Sequence, residues 1–207
     1  MNAELAEARA ILAEARSIVA LTGAGVSAES GVPTFRGADG LWRSYNTFEL
    51  ATPEAFARDP KLVWEFYDWR RTLVAPCGPN PAHRALAERE ARSEDFTLVT
   101  QNVDGLHALA GSKRILEVHG SLWRIRCSAC GLRRDERTAP LADLPPRCAA
   151  CGGLERPDVV WFGETLDGVV LEAVCEALER ADAALVIGTS GVVYPAAAFA
   201  GMARDAG

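Results

Sequence analysis

The sequence lacks any unbroken apolar run near the ~18 residues that a membrane-spanning helix needs. It holds only three histidines and two methionines in 207 residues, and its lysines and arginines form no block. Acidic residues outnumber basic ones, 28 against 22, for a net charge of −6. Phosphate-backbone recognition needs a concentrated basic face, so nucleic acid is not an expected partner, and neither is a membrane. Residues 1–17 mix Glu and Arg with Ala, Leu and Ile and carry no apolar core of a secretion signal. The expected compartment is the cytoplasm and the expected state a monomer. With 49% hydrophobic and 24% charged residues, a packed core is feasible. The length suits one domain, or a large lobe with a small insert. There are no internal repeats and no low-complexity tract.

Residues 3–16 read as an amphipathic helix, with Leu5, Ala8, Leu12 and Ala15 at helical spacing. Short apolar runs at 17–21, 96–100, 115–118 and 183–187 read as buried strands, most ending in Gly, Thr, Ser or Asn. Helices are expected over 82–92, 169–179 and 195–204. Strands alternating with helices predict an α/β fold, a Rossmann-like doubly wound parallel sheet whose ligands sit at the carboxyl ends of the strands. Residues 38–80 differ: they are rich in Trp, Tyr and Phe and read as short helices and loops.

Four of the six cysteines fall in two tight pairs, Cys127/Cys130 and Cys148/Cys151, seventeen residues apart. Two intervening residues let both thiolates of a knuckle reach one ion. Four thiolates close a tetrahedral zinc shell and leave no open position, so such a zinc is structural. The alternative is two redox-active or incidental pairs. Gly131 and Gly152 follow the knuckles and permit their turns. Cys77 and Cys175 stand alone and are assigned no role.

Gly23-Ala24-Gly25-Val26-Ser27-Ala28 follows the first strand and fits a loose dinucleotide-binding turn. Alone it leaves binding open, since many strand-to-helix turns carry two glycines. The acidic residue usually found about 20 positions on, at the end of a strand, is not evident; Glu49 lies just past that point but follows no strand.

Several segments together resemble the sirtuin family. Gly23-Ala24-Gly25-Val26-Ser27 with Ser30-Gly31-Val32-Pro33-Thr34-Phe35-Arg36 is similar to its GAGxS…SGIPxFR motif, and Gln101-Asn102-Val103-Asp104-Gly105-Leu106-His107 to its QNIDxLH. Val118-His119-Gly120 matches its HG motif, the knuckles follow directly, and Gly188-Thr189-Ser190 matches its GTS. The resemblance spans essentially the whole chain in the right order. It implies an NAD-dependent protein-lysine deacylase that releases nicotinamide and O-acyl-ADP-ribose, with a small domain inserted in the NAD-binding one. The implied division is 1–37, 82–121 and 157–207 for the NAD-binding domain, 38–81 for a helical insert and 122–156 for a zinc module. His119 is the implied base for the ribose hydroxyls, and imidazole suits that task at neutral pH. Asn102 positions ribose and water, Asp104 contacts the nicotinamide amide, and Gln101 bonds a ribose hydroxyl. Phe35 shields the reactive carbon. Gly23, Ala24, Gly25, Thr34, Arg36, Gly188, Thr189 and Ser190 line the rest of the NAD site. His83 and His107 read as structural, His83 as tying down its Pro-Asn-Pro loop.

Val160-Trp161-Phe162 resembles the segment that receives the acyl-lysine peptide as an added strand. Tyr67 and Arg70, at i and i+3, share a helix face, and a phenol beside a guanidinium suits a carboxylate. The pair resembles the Tyr-x-x-Arg of class III sirtuins, which remove succinyl and malonyl groups. Ala51 matches the small residue that widens that pocket, and Thr34 stands where most relatives carry Asp. The expected activity is thus desuccinylase and demalonylase with retained deacetylase activity. The family ordinarily continues past the point matching Gly207 with a core strand bearing an Asn beside the adenosine. The expectation is therefore an apolar sheet edge beside 183–187 and an adenine lacking one wall, with weaker NAD affinity or stability. Alternative readings are a protein ADP-ribosyltransferase, against which the Tyr67/Arg70 pair argues, and a catalytically impaired NAD-binding module.

Overall fold

The structure, a computed structural model, describes residues 3–33, 47–192 and 194–205. Helix α1 (Ala3–Glu14) leads into strand β1 (Ser17–Thr22) and a 3-10 turn (Ala24–Ser30). Helices α2 (Thr47–Leu50), α3 (Pro53–Arg58) and α4 (Pro60–Val74) form the aromatic insert, and α5 (Pro81–Ala91) leads to β2 (Asp95–Thr100). Then come α6 (Leu106–Leu109), β3 (Ile115–Glu117), β4 (Gly120–Cys127), β5 (Arg133–Asp135), β6 (Glu155–Val159), α7 (Gly168–Arg180), β7 (Ala183–Ile187) and α8 (Phe199–Asp205). Among the described residues no helix is long and apolar enough to cross a membrane.

β1, β2, β3 and β7 make the expected parallel sheet, in the order β3-β2-β1-β7. Strand periodicity assigns its two faces. Ile18, Ala20, Phe96 and Leu98 point to one side and pack with Leu86 of α5 and Leu12 of α1. Val19, Leu21 and Val99 point to the other and pack with Val174 and Leu178 of α7 and Phe199 of α8. Two carboxylates fix the starts of the strands. Asp182 accepts from the amides of Arg16 and Ser17, and the buried Glu90 accepts from those of Lys113 and Arg114. Among the described residues β7 pairs with β1 alone, and Val186 is half exposed.

A second, antiparallel sheet, β5-β4-β6, carries the cysteines. It shares a core with the insert: Val63, Trp64, Phe66 and Tyr67 of α4 pack with Leu122, Trp123 and Ile125 of β4 and with Val159 and Trp161. Helices α3, α4 and α5 start cleanly because each has proline in its first turn and a side-chain cap, Thr52, Asp59 or Asn80, on an early amide.

Two expectations need correction. α1 is amphipathic only at its end: Leu12, with Ala15 just beyond the helix, packs against the sheet, whereas Leu5 and Ala8 are exposed. The helix meets the core with its last turn alone and buries no residue fully. The helix expected over 195–204 is split, with a 3-10 turn at Ala196–Ala198 before α8; the Ala198 amide closes back on the Pro195 carbonyl.

Leu98→Ala, at a fully buried position between β1 and β3, is expected to cost about 2–5 kcal/mol. Leu5→Ala should stay within about 0.5 kcal/mol. Urea unfolding of the two variants checks the contrast.

Candidate active site and metal centre

The glycine turn after β1 is fastened to the end of β7. The Gly25 amide donates to the Gly188 carbonyl at 2.8 Å and the Gly23 amide to that of Ile187. A methyl group on Gly23 would lie 2.9 Å from the Gly188 oxygen, and one on Gly25 2.8 Å from it. Gly188 itself has φ +62°. Side chains at these positions are excluded, and backbone is bared as a phosphate cradle requires. Beside it, Gln101 Nε2 donates to Thr189 Oγ1 at 2.9 Å. A cavity of about 150 Å³ opens here, lined by Gln101, Thr189, Ser190, Leu21, Val99 and Phe199 among others. Gly23, Ala24, Gly25, Gln101, Gly188, Thr189 and Ser190 therefore meet at the carboxyl ends of β1, β2 and β7. Thr34, Phe35 and Arg36 lie outside the described residues.

Beneath this rim is a buried polar floor centred on Ser27. Its hydroxyl donates to Asp104 Oδ2 at 2.7 Å and accepts from Asn102 Nδ2 at 3.1 Å. It also meets His83 Nε2 at 3.3 Å. His83 Nδ1 accepts the Asn80 amide, so Nε2 carries the proton and donates to Ser27. His83 is thus the tie of its Pro-Asn-Pro loop, and it also orients the floor. His107 Nε2 lies 3.0 Å from Thr22 Oγ1, which donates on to Thr100 Oγ1, and Thr100 Oγ1 accepts the Asn102 amide. Thr22, Thr100 and Asn80 carry no signal of this role in the sequence, whereas Ser27 is marked by its place in the Gly23–Ala28 turn.

His119 precedes β4. Its Nδ1 lies 3.2 Å from the Gln101 carbonyl, which can only accept. The proton therefore sits on Nδ1, and among the described residues nothing hydrogen-bonds Nε2. Burial lowers the pKa of His119, against the opposing pull of that carbonyl bond. A neutral imidazole with a bare Nε2 is a competent proton acceptor at neutral pH.

Ala51, Tyr67 and Trp161 share one buried cluster, and Arg70 lies against Tyr67. Tyr67 and Arg70 are both buried, and the Tyr67 hydroxyl accepts from Trp161 Nε1 at 2.9 Å. The Arg70 guanidinium lies over the Tyr67 ring and feels the Asp104 carboxylate. Burial raises the pKa of the Tyr67 phenol. The segment 160–162 is tied on both sides: the Val160 amide donates to the His119 carbonyl, and the Phe162 amide to that of Ala51. Val160 is half-buried and Phe162 is exposed.

The four knuckle sulfurs lie within 4.8 Å of one another. Cys127 and Cys151 are 3.5 Å apart, Cys130 and Cys148 3.8 Å. Zn–S bonds of about 2.3 Å in a tetrahedron put sulfurs ~3.8 Å apart, so the donor set fits zinc. The amides of Cys130 and Ala129 point at Cys127 Sγ, as they do toward a metal-binding thiolate. Gly131 and Gly152 take φ +75° and +72°, which the knuckle turns demand.

A model of the Sir2 family matches residues 23–195. An NAD-dependent protein deacylase of Aquifex aeolicus (strain VF5) is 56% identical over 191 residues, 92% of this chain and 80% of that protein. The mitochondrial NAD-dependent protein deacylase sirtuin-5 of Canis lupus familiaris is 49% identical, spanning 96% of this chain and 73% of its own length. A crystal structure of a Sir2 homolog–NAD complex superposes with a TM-score of 0.90 at 48% identity, over 99% of this chain and 79% of that one.

Two outcomes are expected. His107 is held neutral by burial, then by the neighbouring His83, with its pKa lowered to about 4. The unfolded chain binds that proton near the ordinary 6.5. The stability carried by neutral His107 is therefore complete above pH 6.5 and is lost as the pH falls towards 4. The urea midpoint should drop across that window, and less steeply in His107→Gln. Separately, Cys148→Ser should abolish stoichiometric zinc in metal analysis and lower the melting temperature, because one thiolate of a closed shell is gone.

Proposed function

The chain belongs to the Sir2 family, and from that footing we propose that it is an NAD-dependent protein-lysine deacylase with a structural zinc held by Cys127, Cys130, Cys148 and Cys151. The observation that carries this reading is the bare Nε2 of a neutral His119, set beside the Gln101–Thr189 rim and above the Asn102–Asp104 floor. NAD supplies the electrophilic ribose carbon on loss of nicotinamide, and the acyl group leaves lysine as O-acyl-ADP-ribose, an acyltransferase outcome.

The chain's own residues have separable tasks. The Gly23–Gly25 turn and Gly188 bare backbone to the phosphates. Asn102 and Asp104, fixed by Ser27, orient ribose and carboxamide. His119 takes a ribose hydroxyl proton on Nε2. Phe35 and Arg36 would shield the carbon and bind phosphate. The substrate is an acylated protein lysine, its backbone lying along Val160–Phe162. Tyr67 and Arg70, with Ala51 leaving room, favour succinyl and malonyl groups, while acetyl is also removed. The shared core of the insert and second sheet supports a division into an NAD-binding domain (1–37, 82–121, 157–207), a helical insert (38–81) and a zinc module (122–156). We further propose a cytoplasmic monomer, and the net charge of −6 argues against nucleic-acid partners.

Nicotinamide release with succinyl-lysine and acetyl-lysine peptides tests the reading. Faster turnover of the succinyl peptide is expected. Arg70→Met should remove about 10- to 100-fold of its kcat/KM, the worth of a buried charge-assisted bond. His119→Ala should lower kcat on both peptides by ~10²–10⁴-fold. In the parent enzyme the acid limb of kcat/KM should fall below pH 6.5, the ordinary histidine value, because burial lowers the His119 pKa. Folded protein that binds zinc but releases no nicotinamide from either peptide would overturn the deacylase assignment.

A further inference from the structure

The hydroxyl of Tyr67 is more constrained than a lone phenol on a helix. Its oxygen accepts from Trp161 Nε1 at 2.9 Å, and the Arg70 guanidinium lies over its ring, 5.6 Å from the centroid. The indole N–H and the guanidinium are donors with no acceptor atom, so the Tyr67 O–H proton has to seek an acceptor outside this group. Tyr67 is 2% exposed, and the nearest charge is a cation. An acyl carboxylate is an acceptor that meets both conditions at once.

What holds the indole in place is unusually complete. The Arg156 guanidinium stacks on the Trp161 ring, 3.2 Å from its centroid. Glu164 grips Arg156 in two bonds, of 2.6 and 2.9 Å, and also accepts the Trp161 amide at 2.8 Å. Arg156 Nε reaches the Pro157 carbonyl, and Nη2 also reaches that of Val159. Phe56 closes another side, at 5.3 Å between ring centroids. An indole clamped by an arginine–glutamate pair from its own strand and turn has one direction for its N–H, and that direction is the Tyr67 oxygen.

We propose that Trp161 is a positioning residue for acyl specificity: by occupying one lone pair of Tyr67, its indole N–H makes the phenol an obligatory donor to an acidic acyl group. This rests on the acid-acyl reading above. The Arg156–Glu164 clamp is the part of the device that lies outside the pocket. A plain acyl group has no carboxylate to receive the Tyr67 proton, so the arrangement discriminates between acyl classes rather than speeding both.

The test compares kcat/KM for succinyl-lysine and acetyl-lysine peptides with the whole chain and NAD. Trp161→Phe keeps apolar bulk and removes the N–H. The succinyl-to-acetyl ratio should fall about tenfold, the worth of one such bond. Added to Tyr67→Phe, it should change that ratio less than about twofold, because both substitutions break the same coupling. An undiminished effect in the Tyr67→Phe background, or no effect alone, overturns the assignment. A succinyl preference lost on Arg70→Met yet indifferent to Trp161→Phe overturns this inference and leaves the pocket reading standing; absence of any preference in the parent overturns both. A measurement that needs no folded Trp161 variant uses the indole N–H resonance that moves on Tyr67→Phe. It should shift with the succinyl peptide and not with the acetyl peptide, and equal response to both counts against the proposal.

Discussion

A single buried hydroxyl, that of Ser27, holds the site together. Fully buried polar atoms must find partners, and satisfied networks stiffen what they join. Ser27 donates once and accepts twice, which spends its whole capacity. Its partners come from the head of α5 and from the loop after β2, while Ser27 itself belongs to the turn after β1. Three separate stretches of chain are thereby locked in one register. The position of Asp104 and Asn102 is a property of this junction more than of their own loop.

The second organising element is β4. His119 stands at its start and Cys127 at its end, so the imidazole and the metal knuckles occupy opposite ends of one eight-residue strand. Between them Leu122, Trp123 and Ile125 are buried against the helical insert. The thiolate cluster thus anchors the far end of the strand whose near end presents the base. On its other flank β6 runs into Trp161 and the Tyr67 pocket. Both the nucleotide side and the acyl side of the site hang on the same small sheet.

Much of this was legible in the residues. The four parallel strands announced themselves as apolar runs, because a parallel strand is covered on both faces. The knuckle spacing disclosed the metal centre. β4 and β6 were not legible, for a definite reason: β6 reads Glu-Arg-Pro-Asp-Val, yet every one of these residues is buried. Its charges are cancelled by partners distant in sequence, Glu155 by Arg134 and Asp158 by Arg124. Ion pairs of that kind leave no periodic trace. The same holds for the Arg156–Glu164 clamp and for the hydroxyl relay through Thr22 and Thr100. In the opposite direction, the helical spacing of Leu5 and Ala8 promised a buried stripe that α1 does not make, since only its last turn touches the sheet.

His119 leans on a neutral carbonyl where many catalytic imidazoles lean on a carboxylate. Among the described residues no anion is recruited to make it a stronger base, and burial makes it a weaker one. Under the function proposed above, a proton accepted on Nε2 is held loosely and returns to solvent readily at neutral pH. The neutral imidazole is therefore the resting form to which the site returns after each proton it accepts.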